Sequence, residues 1–505
     1  MQKKVGSGVV AEVNQRHSSS LLEASPRSGF LKMPVWRGIY PRLGNKNKKM
    51  QEISANPPTP STYDVLMLAW PLGLKAVMLH GLVVIDAYLV SSLGEPALAA
   101  MGLAGSIVGV MLGILFAFST ATQIRVAQAF GSAKPVALKT AFYVGLMINL
   151  SATAIGLLFV WIFGGQVIAA FAHTPEIAEQ ANQYLNVFLI VIISEAVGQC
   201  LSSHFNGCGK TKLPFFSYLI ALPLNVGFSI VLIHGYLGFP ALGLMGAALG
   251  SAISSFVRMV YLGGRFIQIE RAYVDVSGWL NGTFRQATIR HLRFSLPIAA
   301  TFISVTVANS VSVLLYAKMS VNDFAAITLI LPWVQVVGTF GMAWSQAIGI
   351  SVAQLLGKDT SSDNLDEFLG RVWRVAFWAA GVVSVVYLIV CLSSGWLYAD
   401  LQRETTVALL SFLPILLFLP FPKGSNAVCG NTLRAGGDTV YVMNIFVGSQ
   451  WLFKVPATAL FVLYFDLSVF WVFALVLVDE LVKFPLFHLR LFKGLWKRKL
   501  EDSDF

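Results

Sequence analysis

Charged residues are scarce in this sequence of 505 residues. Asp, Glu, Lys and Arg together make up 12% of the chain, and hydrophobic residues make up 56%. Soluble domains carry about 25% charged residues, so this chain cannot cover the polar surfaces of the several soluble domains that its length would suggest. The composition therefore excludes most soluble architectures.

Cysteine is also scarce, and the usual signs of a secreted or zinc-binding protein are missing. Cys200, Cys208, Cys391 and Cys429 lie in or beside apolar segments without C-x-x-C spacing, so we predict neither a disulfide framework nor a zinc site. Residues 1–60 contain no apolar run of the kind found in a cleaved signal peptide.

Motifs for catalysis and nucleotide binding are lacking as well. Gly209-Lys210-Thr211 resembles the end of a phosphate-binding loop, but the glycine required five residues earlier is His204. We find no pairing of a nucleophile with a base. The sequence therefore predicts no enzyme, no catalytic residues, no cofactor and no resident metal, and any transport would draw on an ion gradient.

Long apolar segments are what the sequence has instead. Each is long enough to cross a hydrocarbon core of ~30 Å as a helix. They fall at about 63–92, 97–124, 137–163, 181–205, 213–234, 241–265, 294–317, 323–350, 371–394, 406–429, 439–462 and 467–488. The pattern predicts an all-α polytopic membrane protein with twelve transmembrane helices.

Lys and Arg outnumber Asp and Glu by 36 to 25, which gives a formal net charge of +11. Basic residues collect on the cytoplasmic loops of membrane proteins. With a cytoplasmic N-terminus, the loops that carry Lys210, Arg265 and Lys358 all face inward. We therefore expect a multi-pass protein of the plasma (inner) membrane with both termini cytoplasmic, surrounded by membrane lipids and without a nucleic-acid partner.

The two halves of the chain resemble copies of each other. The hexapeptide Val-Ala-Gln-x-x-Gly at 126–131 recurs at 352–357, an offset of 226 residues (352 − 126). The same offset relates Pro71 to Pro297 and Ser119 to Ser345. Two similar six-helix lobes that enter the membrane in the same direction predict a pseudo-twofold axis along the membrane normal, with a cavity between the lobes, as in transporters.

This repeat divides the chain into five regions. We predict a polar, basic cytoplasmic tail at 1–60, an N-lobe at 61–268, a cytoplasmic linker between the lobes at 269–293, a C-lobe at 294–490 and a cytoplasmic C-terminal tail at 491–505.

Acidic residues at membrane depth are the first candidates for function, because a charge there costs roughly 2.5–3.5 kcal/mol or more. Asp86 lies in the first helix among apolar neighbours, which favour the neutral acid and suit it to binding a proton or Na⁺. Glu195 lies near the middle of the fourth helix. Glu480 and Lys483 are one turn apart in the last helix and are expected to pair with each other.

Uncharged polar residues cluster in the same half of the chain. Pro223 interrupts the fifth helix, and Asn225 and Ser229 share one face of that helix. A proline in a membrane helix frees a backbone carbonyl that can contribute to an ion site. Tyr184 and Gln199 of the fourth helix are expected to face the same interior.

Five motifs, in order over residues 62–490, resemble the multidrug and toxic compound extrusion (MATE) family. They are Ile-Asp-Ala at 85–87 with Leu-Gly at 93–94 and Ala-Leu-Ala-Ala at 97–100, Ala-Gln-x-x-Gly at 127–131, Pro-Leu-Asn at 223–225, Gly-x-x-Gly-Ala-Ala at 243–248 and Leu-Arg-Ala-Gly-Gly-Asp-Thr at 433–439. The resemblance implies two six-helix lobes and export of amphipathic, often cationic small molecules, driven by inward H⁺ or Na⁺.

The resemblance also implies roles for particular residues. Asp86 is similar to the first-helix aspartate that binds the coupling cation, Asn225 to the fifth-helix asparagine of the same site, and Tyr184 to the tyrosine at the outer start of the fourth helix. The sequence departs from the family at two positions, where Ser229 stands for an aspartate and Gln199 for an asparagine.

These departures shape the expected site. We predict a cation-coupling site of Asp86, Asn225 and Glu195, in which Glu195 replaces the missing carboxylate, supported by Tyr184, Gln199 and Ser229. The position equivalent to Asp86 in the second lobe is Ser312, and 296–316 contain no acid, so coupling is expected in the N-lobe alone. A single buried carboxyl suits a proton better than a cage of oxygens around Na⁺, although Na⁺ at Asp86 stays open.

The sequence thus predicts a cation-coupled antiporter that acts as a monomer on small organic molecules. The alternative is a lipid-linked precursor flippase of the same broad superfamily. That activity needs a wide cationic cavity, and we find few basic residues at membrane depth beyond Lys75, Arg258 and Lys454. A lipid-modifying enzyme would need a His/Asp/Ser or metal cluster, and a passive channel would not accumulate its substrate against a gradient.

Overall fold

The computed structural model describes residues 59–270, 283–393 and 402–497. Almost all of the predicted N-terminal tail, part of the predicted linker and most of the predicted C-terminal tail lie outside the described residues.

The described residues form twelve long helices, which confirms the all-α prediction. In chain order they are α1 Thr62–Ser91, α2 Glu95–Gly131, α3 Pro135–Phe171, α4 Pro175–Gly207, α5 Lys212–His234, α6 Leu244–Ile269, α7 Thr283–Tyr316, α8 Val321–Gly357, α9 Ser362–Leu392, α10 Arg403–Phe418 with Pro420–Ala435, α11 Thr439–Tyr464 and α12 Val469–Phe492. A single short 3₁₀ turn, Tyr236–Gly238, joins α5 to α6 among these residues.

Ten of these helices are long and apolar enough to cross a membrane without a break. An eleventh, α10, bends by 46° where its two parts meet, at a point where Pro420 and Pro422 remove two backbone donors. The twelfth, α12, carries Asp479, Glu480 and Lys483 near its middle, so every stretch of α12 long enough to span contains these three charges.

The contacts between helices show two lobes related by a pseudo-twofold axis. We refer to α1–α6 as the N-lobe and to α7–α12 as the C-lobe. Between the lobes, α1 packs on α8, its counterpart α7 packs on α2, and α2 packs on α8 at the axis. This is the exchange of partners that a twofold operation on the repeat requires.

The helices extend beyond the apolar segments from which the sequence predicted them. The largest difference is at α7, which begins at Thr283, within the predicted linker. Its first turns carry Arg285, Arg290 and Arg293. A helix continues past the bilayer when its backbone hydrogen bonds continue, whereas hydrophobicity reports only the part inside the bilayer.

Candidate functional site

A chain of hydrogen bonds inside the N-lobe joins three helices. Asn225 of α5 donates from its side-chain nitrogen to Ser251 Oγ of α6 at 2.9 Å. Ser251 in turn donates to Asp86 Oδ2 of α1 at 3.5 Å. The structure therefore brings Asp86 and Asn225 together, as the sequence predicted, and adds Ser251 between them.

Close packing of α5 on α6 places Ser251 in this chain. A Cβ at Gly246 would overlap the backbone of Leu232, and a Cβ at Gly250 would overlap the side chain of Ser229. Only glycine allows the two helices to approach this closely. Our sequence reasoning missed Ser251, although it follows a run of small residues spaced three or four apart on α6, which is the signal of such a contact.

Several oxygen atoms around this chain are buried without a partner. Among the described residues, Asp86 Oδ1, Asn225 Oδ1 and Ser229 Oγ have no hydrogen-bond donor. Asn225 and Ser229 are fully buried. Unsatisfied buried acceptors are rare in proteins and call for an explanation. Oxygens of these types bind a proton or a small cation, so a cation that enters this group of atoms would satisfy them.

Tyr184 of α4 lies near the same group of atoms. It is buried, it stacks on Phe188 with ring centroids 5.1 Å apart, and it lies within electrostatic range of Asp86. The structure thus places Tyr184 at the wall of the Asp86 site. We define the Asp86 layer as Asp86, Tyr184, Asn225, Ser229 and Ser251.

Glu195 and Gln199 belong to a second cluster of the N-lobe. Glu195 Oε2 forms an ion pair with Arg258 of α6, which is 1% exposed. Gln199 donates to Tyr218 Oη at 3.2 Å, and the Arg258 guanidinium lies 4.4 Å from the centroid of the Tyr218 ring. Glu195 therefore has a cationic partner of its own. The sequence shows Arg258 only as one of the few basic residues at membrane depth and does not indicate this pairing.

Lys75 of α1 completes this second cluster. Its Nζ lies 5.4 Å from the Tyr218 ring centroid, within the range of a cation–π interaction. We define the Arg258 layer as Lys75, Glu195, Gln199, Tyr218 and Arg258. Two cations and one carboxylate leave this layer with one positive charge in excess.

The two layers are stacked along the same helix faces. A separation of seven or eleven residues returns to the same face of a helix after about 10 or 16 Å. The pairs with these separations are Ser251 and Arg258 on α6, Asn225 and Tyr218 on α5, Asp86 and Lys75 on α1, and Tyr184 and Glu195 on α4. The N-lobe interior thus places an anionic layer about two to three helical turns from a cationic one.

Two acids near the middle of α12 in the C-lobe are paired with a lysine of their own helix. Lys483 Nζ of α12 contacts Asp479 Oδ2 at 2.9 Å and Glu480 Oε1 at 2.8 Å, which confirms the predicted pairing of Glu480 with Lys483. Asn426 of α10 donates to Glu480 Oε2 at 2.8 Å. Both carboxylates therefore contact a lysine, whereas among the described residues Asp86 accepts only from a neutral hydroxyl; Asp479 Oδ1, like Asp86 Oδ1, has no hydrogen-bond partner there.

The repeated hexapeptide forms a symmetric contact between the lobes. Gln128 of α2 donates to the carbonyl of Ala435, at the end of α10, at 2.7 Å. Gln354, its counterpart on α8, donates to the carbonyl of Gly207, at the end of α4, at 2.7 Å. Each lobe thus supplies one glutamine that satisfies a helix-terminal carbonyl of the other. We call these two contacts the interlobe lock.

Glycine at the end of the hexapeptide makes the interlobe lock possible. A Cβ on Gly131 would overlap the carbonyl of Gln354, and a Cβ on Gly357 would overlap the carbonyl of Gln128. Both obstacles are backbone atoms, which cannot rotate away as a side chain can. The two helices therefore cross at a pair of glycines related by the pseudo-twofold axis.

The hydrophobic core joins the lobes at the lock end of the molecule. One cluster of buried residues takes members from both lobes: Val65, Ala69, Ala127, Ile298 and Ile350. Away from the lock, one cluster is built from N-lobe residues such as Val90, Tyr184 and Ile233. Another is built from C-lobe residues such as Tyr316, Ile327 and Phe412. The lobes thus share a core at one end and have separate cores at the other.

A smaller ionic group ties N-lobe helices together beside the interlobe lock. Glu270, just after α6, contacts Lys210 Nζ at 3.1 Å and His204 Nε2 at 3.7 Å. Burial raises the pKa of Glu270, but the hydrogen bonds with His204 and Lys210 outweigh burial and hold this pKa below its ordinary value. Glu270 therefore stays ionised and anchors the α4–α5 turn to the end of α6.

The part of the chain that the structure describes contains no group of three or more His, Cys, Asp or Glu side chains able to hold a metal ion. Its four cysteines are free and buried.

Comparison with known proteins identifies relatives of the whole membrane region. The MatE family model matches residues 71–231 and 297–460, one segment in each lobe and together more than half of the chain. An uncharacterized transporter of Bacillus subtilis (strain 168), YisQ, is 22% identical over 452 residues, which cover 88% of this chain and 96% of the relative.

Two further matches agree with this result. The multidrug resistance protein NorM of Aliivibrio fischeri is 24% identical over 398 residues, which cover 78% of this chain and 85% of the relative. A crystal structure of MATE in the bent conformation superposes with a TM-score of 0.77 at 17% identity, over 90% of this chain and 99% of that chain.

Proposed function

The chain belongs to the MatE family, and from that premise we propose that it is a multi-pass membrane antiporter that exports amphipathic small molecules in exchange for inward H⁺ or Na⁺ bound at Asp86. Relatives named as multidrug resistance proteins support export as the function. The observation that carries the coupling site is the set of unpartnered oxygens around Asp86.

We place the lock end at the cytoplasmic side of the plasma membrane, with both termini inside. The basic residues Arg125, Lys210 and Lys358 gather at that end of the bundle, as the positive-inside rule favours. The separate cores then lie on the outer side. In this orientation the structure corresponds to a state closed toward the cytoplasm, in which a cation from outside can reach the Asp86 layer.

Alternating access follows from these features. Cation binding neutralises Asp86, which favours one arrangement of α1, α5 and α6. Release of the cation inward requires the interlobe lock to open. Substrate that enters from the cytoplasm competes with the cation, because the two ligands favour different states of the protein. A ligand shifts such an equilibrium only by its difference in affinity for the two states.

We propose that Glu195 and Gln199 support coupling from the Arg258 layer. The Glu195 carboxylate is held by Arg258, so its direct participation in cation binding stays a prediction. Among the two ions we expect the proton, because the Asp86 layer contributes a single carboxylate. The protein is expected to act as a monomer among membrane lipids, without a nucleic-acid partner.

The test measures gradient-driven transport of two probes that share a naphthalene body, 1-naphthalenesulfonate and 1-naphthyltrimethylammonium. Proteoliposomes with an acidic lumen are expected to accumulate at least one probe through inside-out copies, and a Na⁺ gradient at equal pH is expected to drive little uptake. Asp86→Asn is expected to abolish this uptake, because the amide neither ionises nor releases a proton.

The matched control is Asp363→Asn, which makes the same change at an exposed position in the first turn of α9. Uptake by this variant is expected to equal that of the wild type. Gradient-driven uptake that survives Asp86→Asn would contradict Asp86 as the coupling site. Uptake driven by Na⁺ and not by H⁺ would instead assign Na⁺ as the coupling ion.

A further inference from the structure

A cavity of about 710 Å³ lies between α1 of the N-lobe and α8, α9 and α10 of the C-lobe. Its walls are apolar and include the aromatic side chains of Trp70, Phe340 and Trp344. Among the described residues that line it, Lys423 of α10 is the one that carries a charge. The volume is that of a site for a small organic molecule.

Two other polar side chains of the cavity wall are already used within the protein. Trp344 donates from Nε1 to the carbonyl of Val372 at 3.2 Å, and Tyr387 donates from Oη to the carbonyl of Val334 at 3.2 Å. These two side chains therefore present their apolar surfaces to the cavity. The indole N–H of Trp70 is a neutral donor in the same wall, and Lys423 is the charged group that would orient a bound molecule.

The fold places the Lys423 ammonium in the cavity. Lys423 follows the bend of α10 by one turn, and its Nζ lies 3.7 Å from where a Cβ on Gly338 of α8 would be. Gly338 has no side chain, so the ammonium reaches across from α10 to α8. The bend and the glycine together make room for this group inside an otherwise apolar wall.

Lys423 forms no direct ion pair in the part of the chain that the structure describes, although Glu480 lies within its electrostatic range. The nearby carboxylates of Asp479 and Glu480 both contact Lys483 Nζ, and Glu480 also accepts from Asn426. The Lys423 side chain forms no hydrogen bond and no ion pair within the described ranges. A charge in an apolar wall that is only partly compensated is costly, and a bound ligand of opposite charge would lower that cost.

The neighbourhood adds to the positive charge. Lys454 of α11, a membrane-depth lysine in electrostatic range of Lys423, donates to Asn309 Oδ1 at 3.4 Å, which is a neutral acceptor. Three lysines, at 423, 454 and 483, thus face two carboxylates in the C-lobe interior. A cationic substrate in this cavity would meet like charge, whereas an anionic one would complete the pairing.

The rim of the cavity shows how such a molecule can enter. Phe340 is 50% exposed and Met342 is 52% exposed, on a helix that crosses the membrane. Their exposure leaves the cavity open along α8. A ligand with an apolar body can therefore enter on this side and bring its charged end to Lys423.

We infer that the cavity binds an amphipathic organic anion whose carboxylate, sulfonate or phosphate pairs with Lys423, and that this anion is the substrate class of the exporter. The inference rests on the proposed function. It differs from the expectation of cationic substrates that the family resemblance implies. A free organic anion and an anionic lipid share this chemistry.

Equilibrium binding to the full-length protein in nanodiscs of neutral lipid tests the inference, with 1-naphthalenesulfonate and 1-naphthyltrimethylammonium as matched probes of opposite charge. The wild type is expected to bind the sulfonate at least about tenfold more tightly. Lys423→Met is expected to remove that preference, and Lys423→Arg to keep it. The matched control, Lys493→Met, removes an exposed lysine at the end of α12 and is expected to change neither affinity.

Equal binding of the two probes by the wild type, or sulfonate binding unchanged in Lys423→Met, would overturn the inference. Displacement of bound sulfonate by hexyl sulfate alone assigns a free organic anion, and displacement by phosphatidic acid in the nanodisc assigns a lipid headgroup. Sulfonate binding without gradient-driven uptake of either probe would contradict the proposed function and keep the anion site. Uptake of the ammonium probe with no sulfonate binding would support the proposed function and overturn the anion site.

Discussion

In the N-lobe, position 86 is an aspartate that reaches two other helices through Ser251 and Asn225. At the equivalent position of the C-lobe, Ser312 is buried and donates to the carbonyl of Ala308 on its own helix. The interlobe lock, in contrast, uses the same groups in both lobes: a glutamine side chain of one lobe donates to a helix-terminal carbonyl of the other. The comparison teaches that symmetry is kept where the lobes must close on each other and lost where chemistry is performed.

The charged interiors differ as well. The N-lobe keeps one acid without a counterion and one acid paired with Arg258, whereas both C-lobe acids share Lys483. The lysines left over, 75 in the N-lobe and 423 and 454 in the C-lobe, have no direct carboxylate contact among the described residues. We therefore propose that the N-lobe performs cation coupling and that the C-lobe supplies the substrate charge site.

Moving the coupling acid to the other lobe is expected to have the largest effect on transport. The double variant Asp86→Ser, Ser312→Asp keeps the number of acids but places the carboxylate where its neighbour is a carbonyl of its own helix. We expect gradient-driven uptake to fall at least about tenfold, equal to a barrier increase of ~1.4 kcal/mol. Ser312→Ala alone is expected to retain uptake. Full activity of the double variant would show that the lobes are interchangeable for coupling.

Breaking the ion pairs of the two lobes is expected to give unequal losses of stability. Glu195→Gln leaves Arg258 buried without a counterion, which costs about 3–5 kcal/mol in buried pairs. Glu480→Gln leaves Lys483 its contact with Asp479, so we expect less than half of that loss. Thermal unfolding in detergent, followed by tryptophan fluorescence, measures the difference.

The double variant Glu195→Gln, Arg258→Met serves as the control for this pair of measurements. Removing both charges is expected to recover most of the stability lost in Glu195→Gln. Equal losses for Glu195→Gln and Glu480→Gln would contradict the proposed difference between the two lobes.

Filling the glycine contact of the lock is expected to affect both lobes equally. Gly131→Ala and Gly357→Ala each push a Cβ into a backbone carbonyl of the other lobe, and overpacking of this kind costs about 1–3 kcal/mol. Gly113→Ala on α2 and Gly341→Ala on α8 meet open space and are expected to be neutral. Unfolding temperatures of the four variants, compared in pairs, check the symmetry.

Removing the lock glutamines is expected to give the smallest effect. Gln128→Ala and Gln354→Ala each leave one helix-terminal carbonyl without its donor, and the net contribution of one such hydrogen bond to stability is ~1 kcal/mol. Spin-label distances across the lock end are expected to shift toward the open state by the same amount in both variants. A shift in one variant only would show that the lock is asymmetric in energy despite its symmetric geometry.

Much of the fold follows from patterns that act locally. A helix that spans the bilayer must be apolar and satisfy its own backbone, so its presence is visible in the hydrophobic run alone. The repeat at 126–131 and 352–357 similarly indicates two lobes. The ends of helices such as α7 were not predictable in this way, because outside the bilayer no hydrophobic signal marks where the helix begins.

The candidate site was predictable only in part. Asp86 stands out because an acid in an apolar helix is rare, and Asn225 because it follows a proline. The run of small residues before Ser251 indicates a close helix contact but not a role for Ser251 beside Asp86, since a serine among small residues is ordinary in a membrane helix. Glu195 was predicted to join Asp86, because its partner, Arg258, lies 63 residues away on another helix.

What the sequence by itself determined is the number of spanning helices, their twofold repeat and the scarcity of charge in the membrane. These properties follow from the cost of placing polar groups in lipid, because each helix must satisfy this constraint independently of the others. Tertiary structure decided which charges are compensated. Pairing depends on distances between helices far apart in the chain, so only the packed structure separates Glu195, held by Arg258, from Asp86 and Lys423, which form no ion pair among the described residues.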